Sequence, residues 1–272
     1  MIAMAIVALR LRKTATTILG QWGVKSSNFC PARIRPVKEI VENHRLPIKR
    51  VPVPSAVKDT VVIWLAGPAD PGGAWEPLWN CLSDDERDRA NRFFHSRDRA
   101  LFAMSRAVLR FLLSEATSIP ANQIMFALGP YGKPFLAGMN GPHFNVSHSG
   151  SWALIGVSAN RPIGVDIECM RKAIDELELA RSFFSDAEFH ALEQLDTGLL
   201  HQSFYKIWTC KEAILKALGT GISEHLKDFS VEWTGEGYAI HAESKFFLHS
   251  LASVAVNPVE VPEGYAGCYA LA

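Results

Sequence analysis

The chain has 272 residues, 48% hydrophobic and 21% charged, with 28 Lys and Arg against 28 Asp and Glu. That length allows one large domain or two of about 100 residues each, and the composition excludes a wholly disordered chain, a collagen and a coiled coil. The zero net charge is a cancellation: residues 1–60 carry 11 basic side chains against Glu39, Glu42 and Asp59, an excess of +8, and residues 61–272 carry −8.

Residues 1–58 read as a basic, proline-containing extension, expected to be disordered. Pro31, Pro36, Pro47, Pro52 and Pro54 interrupt any helix or central strand. Three origins are open: a mistaken start or idle tail, an organelle-targeting peptide, or a binding arm, for which the aromatic residues are few. The apolar run Met1–Leu9 is far below the ~20 residues that span a bilayer. Its charges follow it, whereas in a secretory signal they come first.

Order is expected from Thr60. Val61 to Leu65 is a β-branched apolar run, hence a buried strand. Ser83 and Glu86 form a capping box that opens a helix to about Phe94. Asp98 to about Ala116 is a second helix, with Leu101, Met104, Val108, Phe111 and Leu112 on one stripe and Arg99, Arg106 and Arg110 outside it. A strand near 123–128 leads to a turn over Gly129–Pro134. Strands follow at Phe144–Val146, Trp152–Ser158 and Ile163–Ile167. Ser185 and Glu188 form another capping box. Ser203–Leu218 is a long helix closed by Gly219 and Gly221. Phe229–Trp233, Tyr238–His241 and Val254–Val256 are the last strands. Each half offers a helix pair and several strands, so the expected fold is α+β, with two similar subdomains over 59–160 and 161–272. No residue-level repeat is evident. Five cysteines without a C-x-x-C suggest neither a disulfide framework nor a zinc site and point to a reducing, cytoplasmic compartment.

Four clusters can carry chemistry. In Gly164-Val165-Asp166-Ile167-Glu168 the two acids are two apart on a strand and share a face. Adjacent carboxylates repel, and a hard cation such as Mg²⁺ relieves this; two unrelated surface acids would give the same pattern. In Trp208-Thr209-Cys210-Lys211-Glu212-Ala213-Ile214-Leu215-Lys216, Glu212 and Lys216 lie one helical turn apart. They form either a surface ion pair or an acid and a base suited to polyphosphate chemistry. Asn145-Val146-Ser147-His148-Ser149-Gly150 offers hydroxyls, backbone N–H groups and an imidazole to a phosphate. A serine nucleophile is disfavoured, because Ser and His adjacent on a strand face opposite ways and G-x-S-x-G is absent. Gly132-Lys133-Pro134 holds a lysine at a turn. Arg106 and Arg110, four apart on one helix face, are candidate phosphate forks.

The joint order G-K-P, F-N-V-S-H-S, G-V-D-I-E and W-x-x-K-E-A-x-x-K-x-x-G-x-G resembles the 4′-phosphopantetheinyl transferases, in their larger, pseudodimeric, Sfp-type form, over about residues 60–260. The resemblance implies two α+β subdomains related by a pseudo-twofold. It also implies transfer of 4′-phosphopantetheine from coenzyme A to a serine of an apo carrier protein (acyl, peptidyl or aryl), with release of adenosine 3′,5′-bisphosphate. By motif, Asp166, Glu168 and Glu212 would hold Mg²⁺. Glu212, or a water on the metal, would take the serine proton. Lys216, Ser147 and His148 would meet the pyrophosphate, and Lys133 and Arg106 the adenosine phosphates. The resemblance implies a monomer with neither nucleic acid nor membrane as a partner; the acidic body also disfavours nucleic acid. Two other classes stay open: a Mg²⁺-dependent phosphohydrolase acting on a nucleotide-like polyphosphate, and a silent binding subunit. Retention of all three acids and both lysines argues against the second.

Overall fold

The computed structural model describes residues 37–58, 60–69, 75–171, 174–220, 225–235, 237–245 and 248–272. Residues 1–36 and Gly221 lie outside the described residues. The expected boundary at residue 58 needs correction. Val37–His44 is a helix (α1) and Ile48–Val51 a strand (β1), and Val37, Ile40, Leu46, Ile48 and Val51 are buried. Strand β1 pairs antiparallel with β2 (Val61–Ala66) and is the edge of a four-stranded sheet, so its other side needs no partner. Pro47 and Pro52 flank the strand instead of interrupting it, which an edge position allows.

From β2 onward the chain runs through a short 3₁₀ turn, α2 (Asp84–Asn91) and α3 (Ser96–Thr117). A hairpin of β3 (Phe126–Leu128) and β4 (Pro134–Leu136) follows, then β5 (His143–Ser149) and β6 (Trp152–Ser158). The first sheet has the order β1-β2-β6-β5. The second half repeats this plan: β7 (Ile163–Cys169), α4 (Glu176–Phe183), α5 (Asp186–Glu193) and α6 (Thr197–Leu218). Next come the hairpin β8 (Phe229–Trp233) and β9 (Tyr238–Ala242), a one-turn helix α7 (Leu248–Leu251), β10 (Ala255–Pro258) and β11 (Tyr265–Leu271). Its sheet order β10-β11-β7 mirrors β5-β6-β2. The fold is α+β, as expected, with one plan used twice.

The repeat extends to single residues. Both long helices have 22 residues, and each bears a buried cation at its fifteenth position, Arg110 in α3 and Lys211 in α6. Each cation meets the glutamate of the preceding capping box. Arg110 Nε donates to Glu86 Oε2 at 2.7 Å, and Lys211 Nζ donates to Glu188 Oε2. Each also donates to backbone carbonyls, those of Ala121 and Ile124 for Arg110 and that of Phe229 for Lys211. The pairing keeps these buried charges compensated.

Helix α3 covers one face of the first sheet and α6 one face of the second. A third core lies between the sheets, where Val61, Ile63 and Leu65 meet Ile163, Val165, Ile167 and Tyr269. Strand β2 is thus covered on both sides, which accounts for its unbroken apolar run. Among the described residues no helix is long and apolar enough to cross a membrane.

Candidate functional site

The two sheets meet along β5 and β7. Asn145 Oδ1 accepts from Val165 N at 2.9 Å. Ser147 Oγ donates to Asp166 Oδ1 at 2.7 Å, and Ser149 Oγ donates to Glu168 Oε2 at 2.8 Å. Both serine–acid pairs are 19 residues apart, and this constant offset means that the strands run side by side in the same direction. Alternation then separates the roles on β7. Val165 and Ile167 enter the core between the sheets, while Gly164, Asp166 and Glu168 face α6.

Helix α6 approaches β7 closely at Gly164. A Cβ there would lie 2.0 Å from the Ala213 carbonyl oxygen and 2.4 Å from Ala217 N, so only glycine admits the helix at this depth. The approach brings Glu212 and Lys216 to the acids. Lys216 Nζ lies 2.5 Å from Asp166 Oδ1, 3.2 Å from Glu212 Oε2 and 3.3 Å from Ser147 Oγ. Asp166, Glu168 and Glu212 are all buried.

Electrostatics follow from this crowding. Burial raises the Glu212 pKa from 4.5 to about 7; Lys216 draws it down, and Asp166 and Glu168 push it up. The Glu168 pKa is raised by burial and then by Asp166. Burial alone would lower the Lys216 pKa, but Asp166 and Glu212 outweigh it and hold the ammonium charged. Three carboxylates therefore converge with one cation among them, and Asp166 Oδ2 is buried with no hydrogen-bond partner among the described residues. Among the described residues no three His, Cys, Asp or Glu groups form a ready metal cage. Mg²⁺ seldom uses one; it is held by one or two carboxylates together with substrate phosphates. The donor set of hard oxygens fits it.

Other expected site residues lie elsewhere. His148 points to the opposite face of β5 from the two serines. With Arg89, Arg106, Phe102, Pro134 and Val146 it lines a cleft of about 210 Å³ against α3. Its pKa is drawn down by desolvation first, then by Lys216 and Arg89. Arg106 lies 3.4 Å from Glu86 Oε1 and 5.2 Å from the centre of the Phe126 ring. The Arg106 guanidinium is thus at the cleft, whereas Arg110 is buried in the core and is no phosphate fork. Lys133 does not reach the acids. Its Nζ donates to the carbonyls of Ile163 at 3.0 Å, Lys216 at 2.5 Å and Ala217 at 3.2 Å. It binds the Gly-Lys-Pro turn to the C-terminal end of α6, where a cation suits the helix dipole, and burial lowers its pKa to about 8. Trp208 belongs to the second core, 5.8 Å from the Phe183 and Phe204 rings. Sequence reasoning offered the Ser149 hydroxyl only to a phosphate and foresaw neither its pairing with Glu168 nor that of Asn145 with Val165. The signal for Ser149 was its spacing: Ser147-x-Ser149 on one strand matches Asp166-x-Glu168 on the other.

Comparison with known proteins places both halves of the chain in one family. A family model for the 4′-phosphopantetheinyl transferase superfamily matches residues 162–269, and one for the 4′-phosphopantetheinyl transferase N-terminal region matches residues 70–160. A putative 4′-phosphopantetheinyl transferase of Synechocystis sp. is 41% identical over 144 residues, 52% of this chain and 58% of that protein. The 4′-phosphopantetheinyl transferase HetI of Nostoc sp. is 36% identical, over 62% of this chain and 72% of its own length. The 4′-phosphopantetheinyl transferase Sfp of Bacillus subtilis is 30% identical, over 71% and 77% respectively.

Proposed function

The chain belongs to the 4′-phosphopantetheinyl transferase family, and from that premise we propose that it transfers 4′-phosphopantetheine from coenzyme A to a serine of an apo carrier protein at the junction of β5, β7 and α6. The convergence of Lys216 with Asp166 and Glu212 supports this reading. Charge neutralisation around a polyanion is what phosphoryl chemistry asks of a protein. Family membership favours this over the phosphohydrolase alternative.

In this reading Asp166, Glu168 and Glu212 would hold Mg²⁺, which when bound would polarise the pyrophosphate and stabilise the leaving phosphate. Lys216 is placed to turn from Asp166 to a phosphate oxygen. His148 and Arg106 line the cleft for the adenosine phosphates. The carrier serine Oγ forms the new bond to the β-phosphorus, and the bond to the bridging oxygen breaks. That oxygen leaves with adenosine 3′,5′-bisphosphate. The serine proton goes to Glu212 or to a water beside it. Lys133 serves as the brace that fixes the end of α6. One chain supplies both sides of the site, which supports a monomer.

The test is to incubate the protein with coenzyme A, Mg²⁺ and a panel of apo carriers, and to weigh the carriers by mass spectrometry. At least one carrier gains the arm with the parent protein, and none does with Asp166→Asn. Release of phosphate from coenzyme A without a modified carrier would favour the hydrolase instead.

A further inference from the structure

We propose that Ser149 is the positioning residue for Glu168, and that the first half of the chain aims the acids of the second through the two serines of β5. The inference rests on the metal reading above. Ser149 is buried, its Oγ 2.8 Å from Glu168 Oε2 and 3.0 Å from Cys169 N. A hydroxyl has one proton and two acceptor lone pairs. The Cys169 N–H takes a lone pair, so the proton is directed at the carboxylate. Strand β7 thus orients the hydroxyl that orients its own acid.

The turn after β5 is tied to the second half as well. Ser151 N donates to the Tyr265 hydroxyl at 3.1 Å. Ser149 therefore lies between two attachments, its hydroxyl on β7 and the following turn on β11. Ser147 stands in the same relation to Asp166, at 2.7 Å, and also accepts from Lys216. The intervening His148 faces the other cleft. The Ser-His-Ser run thus divides its work by strand alternation, with serines toward the acids and histidine toward α3.

Loss of a group that orients a metal ligand typically costs about 10- to 100-fold in metal affinity or activity. The experiment compares parent, Ser149→Ala, Ser149→Thr and Asp166→Asn proteins. Mn²⁺ binding is read from the loss of the free aqua-ion paramagnetic resonance signal with coenzyme A present, against a coenzyme A blank. Mg²⁺ dependence of transfer is measured in parallel. Ser149→Ala is expected to raise the Mn²⁺ Kd and the half-saturating Mg²⁺ concentration by about tenfold, with a smaller effect on turnover at saturating Mg²⁺. Ser149→Thr, which keeps the hydroxyl, restores both. Should Ser149→Ala fail to fold, Ser149→Cys replaces it, with the same shift expected from a weak donor of similar size. Unchanged metal dependence in Ser149→Ala, beside a clear loss in Asp166→Asn, would overturn the inference alone. A parent protein that binds no Mn²⁺ would overturn the metal reading and this inference with it.

Discussion

Glu212 is a carboxyl group with a pKa of about 7 in place of 4.5, held there chiefly by burial. Between those values the folded chain binds more protons than the unfolded one, so this group's contribution to stability falls as pH rises through the window. Both proposed roles, ligand and base, use the ionised form. The apparent affinity of the parent protein for Mg²⁺ is therefore expected to rise with pH through about 7, because the metal must displace that proton. A half-saturating Mg²⁺ concentration that stays constant between about pH 6 and 8 would contradict this. Glu212→Gln is expected to lose at least about 100-fold in turnover while remaining folded. Asp166, Glu168, Glu212 and Lys216 were legible because two periodicities, two on a strand and nearly four on a helix, place them. Lys133 and Arg110 were not. A sequence displays a cation without showing what it faces, and here both face carbonyls, with Glu86 also on Arg110.

The elements were legible wherever their signals are local. Both capping boxes form, and α6 ends at Gly219 in the left-handed conformation with φ 71°. Strand β11 has the composition Tyr-Ala-Gly-Cys-Tyr-Ala-Leu and gives little local strand signal; its place comes from pairing with β7 and β10. Strand β1 was hidden by the prolines on either side. Its recovery changes what truncation should do. Starting the chain at residue 59 removes β1 and five buried apolar side chains, each contributing about 1.5–3 kcal/mol. That sum rivals the ~5–15 kcal/mol stability of a whole domain. Such a truncation is expected to unfold at least the first half, by comparison with a chain started at residue 37, which keeps α1 and β1. Thermal unfolding of the two truncations decides it: equal melting would mean that β1 adds nothing.

At the scale of the molecule, one plan is used twice but the site is built once. Where α6 carries Glu212 and Lys216 just after Lys211, α3 carries Phe111 and Glu115 at the matching places after Arg110. The shared feature is the buried ion pair. Glu188→Gln leaves the Lys211 ammonium buried beside an amide, and is expected to destabilise the second half by about 3–5 kcal/mol in urea unfolding. An unchanged midpoint would mean that the pair is dispensable. The sequence hid this repeat because the two halves keep the charge and change the residue, Arg in one and Lys in the other. The position of Lys216 carries one more consequence. With its ammonium already seated on Asp166, the resting site is an ion exchanger loaded with its own counter-ion. In the proposed reading, a divalent cation arriving alone would have to displace that ammonium from Asp166 and compete with it for Glu212 as well. One arriving with a pyrophosphate offers the ammonium a new partner in the same event. The salt bridge then sets an expectation for the order of addition in the proposed reading: nucleotide and metal enter together, and free metal by itself competes poorly.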